Sequence, residues 1–330
     1  MSISVVVPVY NSEGTLGALV SRLGPVLGAT GDPYELILVN DGSLDRSWET
    51  ALQLAAQHDW IVAIDLMRNY GQHNALLCGI RAARCDTIVT MDDDLQNPPE
   101  EIPILLAKLE EGYDVIYGTP VRQQHGLWRD LASTATKLAL QGAIGARTAR
   151  QMSAFRAFRT RVREAFADYR GAFVSIDTLL TWGTTKFGAV PVRHEPRRVG
   201  ASNYTFRKLL AHSLNMMTGF STLPLRFATY TGFAFTLIGL AVLAVVIFRY
   251  FTAGDSVPGF PFLASIIAIF SGAQLFALGI FGEYLARVFV RITEAPPYVV
   301  RDAVNRSDRA LPAREELLAR SSRGIHRGTL

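Results

Sequence analysis

The sequence predicts an α/β fold in which a mostly parallel sheet, with helices on both faces, precedes interfacial amphipathic helices and two transmembrane helices. Short β-branched runs alternate with helical patterns through the N-terminal part of the chain, as they do in parallel sheets. Only 19% of the 330 residues are charged, a lower share than the roughly 25% of soluble domains. The segments 227–248 and 256–282 contain no charged residue, and each exceeds the roughly 20 residues needed to cross a bilayer.

Strands and helices are expected to alternate along the first domain. The strands are expected at 4–8, 35–40, 61–66 and 87–91, and the helices begin at Thr15, Ser47 and Gln72. This βαβ order implies parallel pairing, because each helix returns the chain to the same end of the sheet. Such sheets bind ligands outside the carboxyl ends of their strands.

Polar side chains follow each of these strands. They are Tyr10 and Asn11, Asp41 and Asp45, Arg68, and Asp92 and Asp94. Four strand ends are therefore expected to meet at one crevice. No GxGxxG motif follows the first strand and no GxxxxGK[ST] motif occurs, so the sequence supports neither a dinucleotide-binding fold nor a P-loop.

The run 91–99, Met-Asp-Asp-Asp-Leu-Gln-Asn-Pro-Pro, brings closely spaced carboxylates into a turn. Asp92 and Asp94 are candidate ligands for one Mg²⁺ or Mn²⁺, with the phosphate oxygens of a substrate completing the coordination, because Mg²⁺ seldom has an all-protein cage. The pattern therefore indicates a diphosphate substrate. The alternative is an acidic turn that caps the helix opened by Pro98 and Pro99.

The two uncharged segments predict transmembrane helices at 227–250 and 261–288, joined by an extracytoplasmic loop at 251–260. A pair of buried core helices is the alternative. Basic residues lie at the outer ends of the two segments: Arg207, Lys208, Arg226, Arg287 and Arg291. The positive-inside bias therefore puts both termini in the cytoplasm of an integral inner-membrane or plasma-membrane protein.

The remaining segments are assigned by their position around the spans. Residues 1–202 are expected to form the cytoplasmic catalytic domain, because no signal peptide is visible: the N-terminus has no basic n-region, and its apolar run 3–7 ends at Pro8. Residues 203–226 carry apolar side chains at helical spacing and are expected to form juxtamembrane interfacial helices, with a core helix as the alternative. Residues 289–330 are expected to form a cytoplasmic basic tail, either on the membrane surface or disordered.

Cysteine content and net charge indicate the cellular compartment and the class of binding partner. Cys78 and Cys85 have no neighbours at metal-ligand spacing and are expected to be free thiols in a reducing compartment. The net charge of +4 is modest, and the basic residues cluster near the spans. Acidic lipid headgroups explain this charge better than nucleic acid does, so membrane lipids are the expected partners.

Several motifs together resemble a known family. The runs 6–11 (Val-Val-Pro-Val-Tyr-Asn) and 40–45 (Asn-Asp-Gly-Ser-Leu-Asp) and the acidic run resemble family 2 glycosyltransferases with the GT-A (Rossmann-like) fold. The runs 68–73, 94–103, 197–204 and 282–287 are similar to those of polyprenyl-phosphate glycosyltransferases. The related enzymes include undecaprenyl-phosphate aminoarabinose transferases, bactoprenol glucosyltransferases and, more distantly, dolichol-phosphate mannose synthase.

This resemblance implies transfer of one sugar, with inversion, from a nucleotide diphosphate sugar, preferably a UDP-sugar, to a polyprenyl phosphate such as undecaprenyl or decaprenyl phosphate. It implies Mg²⁺ or Mn²⁺ at Asp92 and Asp94, and a homo-oligomer, with a tetramer favoured. It assigns donor binding to Pro8, Tyr10, Asn11, Glu13, Asp41, Arg68, Asp92, Asp93 and Gln96. It assigns catalysis to Asp94, Arg122, Arg129 and Arg197, and binding of the acceptor phosphate to those three arginines and Ser202.

Three positions depart from the family pattern, and other functions stay open. Ser12 stands where relatives often have Glu, Asn40 replaces the first acid of an Asp-Asp pair, and Asp93 stands where relatives commonly have Ala. Asp41 alone could be a turn residue, Gln96 a helix cap, and each arginine a solvated surface group.

A processive polysaccharide synthase is one alternative function for the whole protein, although no Gln-x-x-Arg-Trp motif occurs. A catalytically silent membrane scaffold or lipid transporter is another.

Overall fold

A computed structural model describes residues 1–120, 152–171, 174–195, 223–253, 259–292 and 295–305. These residues fall into two compact units. The α/β unit contains the described residues up to 195 together with 295–305, and the second unit contains 223–253 and 259–292.

The α/β unit is built on an eight-stranded sheet in the order β7-β5-β6-β4-β1-β2-β3-β8. The strands are β1 (Ile3–Val9), β2 (Tyr34–Asn40), β3 (Ile61–Leu66), β4 (Thr87–Thr90), β5 (Val115–Pro120), β6 (Arg156–Arg159), β7 (Phe187–Val192) and β8 (Val300–Asn305). Strands β1 to β4 pair in parallel, as predicted. Strand β6 runs antiparallel to both β4 and β5, and β8 runs antiparallel to β3.

The helices of this unit connect and cover the strands. They are α1 (Leu16–Gly28), α2 (Ser47–Gln57), α3 (Gln72–Ala82), α4 (Ile102–Glu110) and α5 (Ile176–Gly183), with 3₁₀ turns at Pro99–Glu101 and Thr160–Phe166. Helix α1 begins one residue after the predicted Thr15, and α2 and α3 begin at the predicted Ser47 and Gln72. The predicted α/β fold with a mostly parallel sheet is confirmed.

The two faces of the sheet form separate apolar cores. Every residue of β1 is buried, and its side chains alternate between the cores: Val7 packs in the cluster that contains Leu19 of α1, and Val6 in the cluster that contains Leu76 of α3. Each such fully buried side chain stabilises the fold by about 1.5–3 kcal/mol. Helix α3 lies so close to the sheet that a Cβ on Gly79 would be 2.3 Å from Val6 Cγ1.

The structure corrects one part of the basic tail expected at 289–330, and the residues after 305 lie outside the described part of the chain. Residues 300–305 form β8 at the edge of the sheet, with Ile64 paired to Ala303 and Leu66 to Val300. The chain therefore returns to the α/β unit after the second long helix. The reason is packing, since Val300 is 5% exposed and joins the apolar core on the α3 face.

The second unit contains two long apolar helices, α6 (Leu223–Ala253, 31 residues) and α7 (Phe260–Ile292, 33 residues). They contact each other through an edge-to-face pair of Phe235 and Phe270, whose ring centroids are 5.9 Å apart. Among the described residues, one helical window, Ile269–Ala286, is long and apolar enough to cross a membrane. The apolar stretch Phe227–Val242 is shorter, so the span expected at 227–250 is not established by this criterion. The interfacial helices expected at 203–226 lie almost entirely outside the described residues.

Candidate functional site

The acidic run forms a tight turn directly after β4. Asp92 and Asp94 are half-buried, whereas Leu95 is only 3% exposed. Asp94 Oδ1 accepts a hydrogen bond from the backbone N–H of Gln96 at 3.1 Å. Leu95 takes a left-handed conformation with φ of +60°, which is strained for a residue with a branched side chain. The buried Leu95 side chain thus holds the turn, with Asp92 and Asp94 on either side of the middle carboxylate.

The middle carboxylate, Asp93, faces the neighbouring loop. Its Oδ2 accepts hydrogen bonds from the Ser12 hydroxyl and from the Tyr10 backbone N–H, the latter at 3.3 Å. Burial raises the pKa of Asp93 to about 6, although the hydrogen bond from Ser12 acts in the opposite direction. Ser12 and Asp93, two of the positions that depart from the family pattern, therefore contact each other and join the ends of β1 and β4.

Asp92 and Asp94 fit a divalent cation that also binds a phosphate. Gln72, at the start of α3, donates from Nε2 to Asp92 Oδ1 at 2.6 Å and so orients that carboxylate. No group of three His, Cys, Asp or Glu side chains in the described ranges could hold a metal ion alone. A cation at these two carboxylates would therefore take its remaining ligands from water and substrate oxygens, as Mg²⁺ usually does.

The loops after β1 and β2 hold each other through side chains predicted to bind the donor. Asn11 Oδ1 accepts from the Leu44 N–H at 2.8 Å, and the Asn11 N–H donates to Ser43 Oγ at 3.0 Å. Glu13 Oε2 accepts from the Arg46 N–H at 3.0 Å. Asn11 and Glu13 are both exposed, but these oxygens already serve the loop backbone.

Asp41, at the end of β2, is buried and organises the loop after β3. Its two oxygens accept from the backbone N–H groups of Tyr70 at 2.7 Å and Gly71 at 2.8 Å. Burial raises the pKa of Asp41, and the two backbone hydrogen bonds oppose that rise. Gly42 has φ of +64°, and a Cβ there would lie 2.5 Å from the backbone nitrogen of Asn69. The ends of β2 and β3 are therefore in direct backbone contact.

The remaining predicted donor residues line the same edge of the sheet. Pro8 is buried within β1, and the side chain of Tyr10 is 46% exposed just beyond it. Arg68 is exposed, and its guanidinium lies 4.7 Å from the centre of the Tyr70 ring. A charged group and two aromatic rings thus lie at the strand ends that flank the carboxylates.

The structure also brings the segment after β7 to the acidic turn. The backbone N–H of Glu195 donates to the carbonyl oxygen of Gln96 at 2.8 Å, and Glu195 forms an ion pair with Arg22 of α1 at 3.1 Å. Of the predicted catalytic and acceptor-phosphate residues, Asp94 lies in the acidic turn, and the others lie outside the described residues: Arg122, Arg129, Arg197 and Ser202.

Sequence reasoning missed two parts of this arrangement. The sequence places Gln72 at the start of a helix and in the run 68–73, but it does not predict its contact with Asp92, nor the buried pair of Asn40 and Asp65, which a hydrogen bond of 2.7 Å joins. Asn40 and Asp65 lie at the carboxyl ends of β2 and β3, and Gln72 is the first residue of the helix that follows β3. Asp65, an acid inside the β-branched run 61–66, was the available signal, since buried acids need partners.

The matching family model defines the class of protein: it is Glycosyl transferase family 2, and it matches residues 4–171. The chain belongs to this family. Among curated relatives, undecaprenyl-phosphate 4-deoxy-4-formamido-L-arabinose transferase of Pectobacterium atrosepticum is 35% identical over 92% of this chain and 94% of its own length. The protein of the same name from Pseudomonas aeruginosa strain LESB58 is 36% identical over 94% of this chain and 93% of its own length.

A solved structure shows the same fold. It is glucosyl-3-phosphoglycerate synthase of Mycobacterium tuberculosis in complex with Mn²⁺, UDP and glucosyl-3-phosphoglycerate, with a TM-score of 0.50 and 22% identity. The match covers 66% of this chain and 77% of that one.

Proposed function

We propose that this protein transfers a single sugar from a nucleotide diphosphate sugar, with a UDP-sugar favoured, to a polyprenyl phosphate. The similarity to undecaprenyl-phosphate sugar transferases along more than nine-tenths of the chain supports this acceptor. The observation that carries the proposal is the pair of half-buried carboxylates, Asp92 and Asp94, at the strand ends where an α/β sheet binds its ligand. The solved structure with the same fold contains Mn²⁺ and UDP, which supports a divalent metal in this class.

The donor diphosphate is assigned to the acidic turn. A cation held by Asp92 and Asp94 would neutralise the diphosphate and stabilise the nucleotide as a leaving group. Tyr10 and Arg68 are assigned to the nucleotide, together with Pro8 at the same edge of the sheet, and Asp41 is assigned to it through the loop 67–71 whose backbone it holds. In this assignment Asn11, Glu13 and Asp93 hold the loops around the donor, through the hydrogen bonds described above.

The acceptor needs orientation more than activation. A polyprenyl phosphate is already anionic near neutral pH, so its oxygen can attack the anomeric carbon without a strong general base. The bond from that carbon to the donor diphosphate breaks on the opposite face, its electron pair leaves with the nucleotide, and the configuration inverts. Arg122, Arg129, Arg197 and Ser202 are assigned to the acceptor phosphate, because guanidinium groups bind phosphate bidentately.

The proposed setting is the cytoplasmic face of the membrane. Both α6 and α7 are assigned as transmembrane helices, with 203–226 at the interface and both termini in the cytoplasm. The large exposed apolar side chains of both helices support this assignment, including Phe227, Phe248, Phe276 and Phe289. We also assign a homo-oligomer, with a tetramer favoured, since two helices bury little of each other's surface.

The test is a transfer assay with the full-length protein. UDP, GDP and dTDP sugars are supplied with radiolabelled polyprenyl phosphate, with Mg²⁺ or with EDTA. We expect one donor to give a lipid-linked sugar that requires the metal. If no donor gives a product and none of the nucleotides binds, the proposal is wrong, and a catalytically silent membrane scaffold is then the better interpretation.

A further inference from the structure

The strand that follows the second long helix contributes an arginine to the site edge of the sheet. Arg301 of β8 forms an ion pair with Asp65 Oδ2 at 3.1 Å and donates to the carbonyl oxygen of Met67 at 2.7 Å. The N–H of Met67 donates to the carbonyl oxygen of Val299 at 2.9 Å. The backbone N–H and the backbone carbonyl of Met67 are therefore both held by the C-terminal segment, through Val299 and Arg301.

Met67 begins the loop 67–71, and that loop carries Arg68. The far end of the loop is fixed by Asp41, which accepts from Tyr70 and Gly71, and its middle lies against Gly42. The near end is fixed by Arg301. The backbone path of the loop thus depends on contacts at each end, and the contacts at the near end, from Val299 and Arg301, come from beyond the long helices in sequence.

Asp65 connects Arg301 to Asn40 at the end of the neighbouring strand β2. Its side chain is 2% exposed, and its two oxygens bind Asn40 and Arg301 separately. Removal of the guanidinium would leave a buried carboxylate with one fewer partner, which is a costly state. The carboxylate would then be expected to shift or gain water, and Asn40, next to Asp41, would shift with it.

We propose that Arg301 is a positioning residue for donor binding: it holds the Met67–Gly71 backbone and the Asn40–Asp65 pair, so that the nucleotide site requires the segment after the membrane helices. This inference rests on the proposed function, because it takes the loop with Arg68 as part of the donor site. Arg301 itself does not contact the donor in this proposal. In this proposal residues 299–301, which the sequence predicted as part of a basic tail on the membrane surface or disordered, are a component of the site.

The test compares nucleotide binding by full-length variants. Arg301→Gln removes the charge, and Arg301→Lys restores a charge without the forked geometry. Arg161→Ala is the matched control, because Arg161 is also an exposed arginine, at 69%, and forms an ion pair with Asp114 at 2.8 Å away from the β3 end. Binding of UDP, GDP and dTDP in the presence of Mn²⁺ is measured by calorimetry, together with KM for the donor and for the lipid.

We expect Arg301→Gln to weaken nucleotide binding and raise the donor KM about tenfold, with the lipid KM and kcat little changed. Arg301→Lys should recover part of the loss, and Arg161→Ala should bind as the wild type does. Equal binding by Arg301→Gln and the wild type overturns the inference. Absence of nucleotide binding by the wild type would instead overturn the proposed function.

Cys78 distinguishes local repositioning from release of the whole C-terminal segment. This thiol is fully buried in α3 and contacts Tyr298, which lies two residues before the start of β8. In a Cys85→Ser background, we expect Cys78 to resist maleimide in both wild type and Arg301→Gln. Rapid labelling in Arg301→Gln would mean that the segment detaches, and the positioning role of Arg301 would then be wrong.

Discussion

The two sides of the candidate site use acidic side chains in different ways. On the β2–β3 side, Asp41 is 2% exposed and both of its oxygens bind backbone N–H groups of the loop 67–71. On the β4 side, Asp92 and Asp94 are half-buried and flank a third acid that is bound to the β1 loop. The difference teaches that Asp41 fixes the backbone of a loop, whereas Asp92 and Asp94 are the carboxylates that we assign to a charged ligand.

The largest effect is expected at the ligand-binding side. Asp94→Asn should lower sugar transfer at least about a hundredfold, because a metal acting as a Lewis acid supplies several kcal/mol to the transition state. Transfer rates at saturating Mg²⁺ measure this effect. Glu111→Gln is the control, since Glu111 is exposed and pairs with Lys108 far along α4. Transfer at the wild-type rate by Asp94→Asn would remove the assigned difference between the two sides.

The next largest effect is expected where the β2 and β3 ends meet. Gly42→Ala should lower the free energy of unfolding by about 2–4 kcal/mol, from both the left-handed backbone and the close contact with Asn69. Gly31→Ala is the matched control, because Gly31 has φ of +72° but no atom within 4 Å of its Cβ position. Denaturant unfolding followed by tryptophan fluorescence gives both values. Equal losses of unfolding free energy in the two variants would show that the close contact between Gly42 and Asn69 does not contribute to the effect.

A smaller effect is expected from Asp41→Asn. An amide has one acceptor oxygen, so either Tyr70 or Gly71 would lose its partner, at a cost of about 1–3 kcal/mol. Hydrogen exchange measured by mass spectrometry should show faster exchange in the peptide that contains residues 67–71. Unchanged exchange there would contradict the role of Asp41 in holding this loop.

The smallest effect is a change in the pH dependence of stability. Because burial raises the pKa of Asp93 to about 6, the folded state binds this proton more tightly than the unfolded state does. The stabilisation from protonated Asp93 is therefore complete below about pH 4 and is lost as the pH rises through about 6. In EDTA, Asp93→Asn should lack this loss, so its stability relative to wild type should rise between pH 4 and 7. Parallel pH profiles for the two proteins would contradict this assignment.

The parallel half of the fold could be predicted from the sequence, and the mixed half could not. Strand β3 and the first residues of α2 and α3 lie where the pattern puts them, because helices and strands alternate there with clear periodicity. Strand β6 begins with Arg156, which is 1% exposed because its guanidinium pairs with Asp177 and Thr90. Its sequence, Arg-Ala-Phe-Arg, gives no sign of that burial. Strand β8 pairs with β3 across more than two hundred residues, beyond the reach of local patterns.

The positions of the candidate site were also predictable, but not the tasks of its side chains. The parallel pairing of β2 and β4 with β1 puts Asp41, Asp92 and Asp94 at one edge of the sheet, as the order of the strands predicts. Asn11 and Glu13 were assigned to the donor, yet their oxygens accept backbone N–H groups of the β2 loop. Spacing along the chain shows which residues follow a strand, but it does not show which loop folds against them.

The most direct test of the account is Mn²⁺ binding in the presence of UDP, measured by electron paramagnetic resonance for wild type, Asp94→Asn and Asp93→Asn. The account assigns the metal to Asp92 and Asp94, and the joining of β1 and β4 to Asp93. It predicts that Asp94→Asn loses nucleotide-dependent Mn²⁺ binding, whereas Asp93→Asn retains it. Retention by Asp94→Asn together with loss in Asp93→Asn would contradict that assignment.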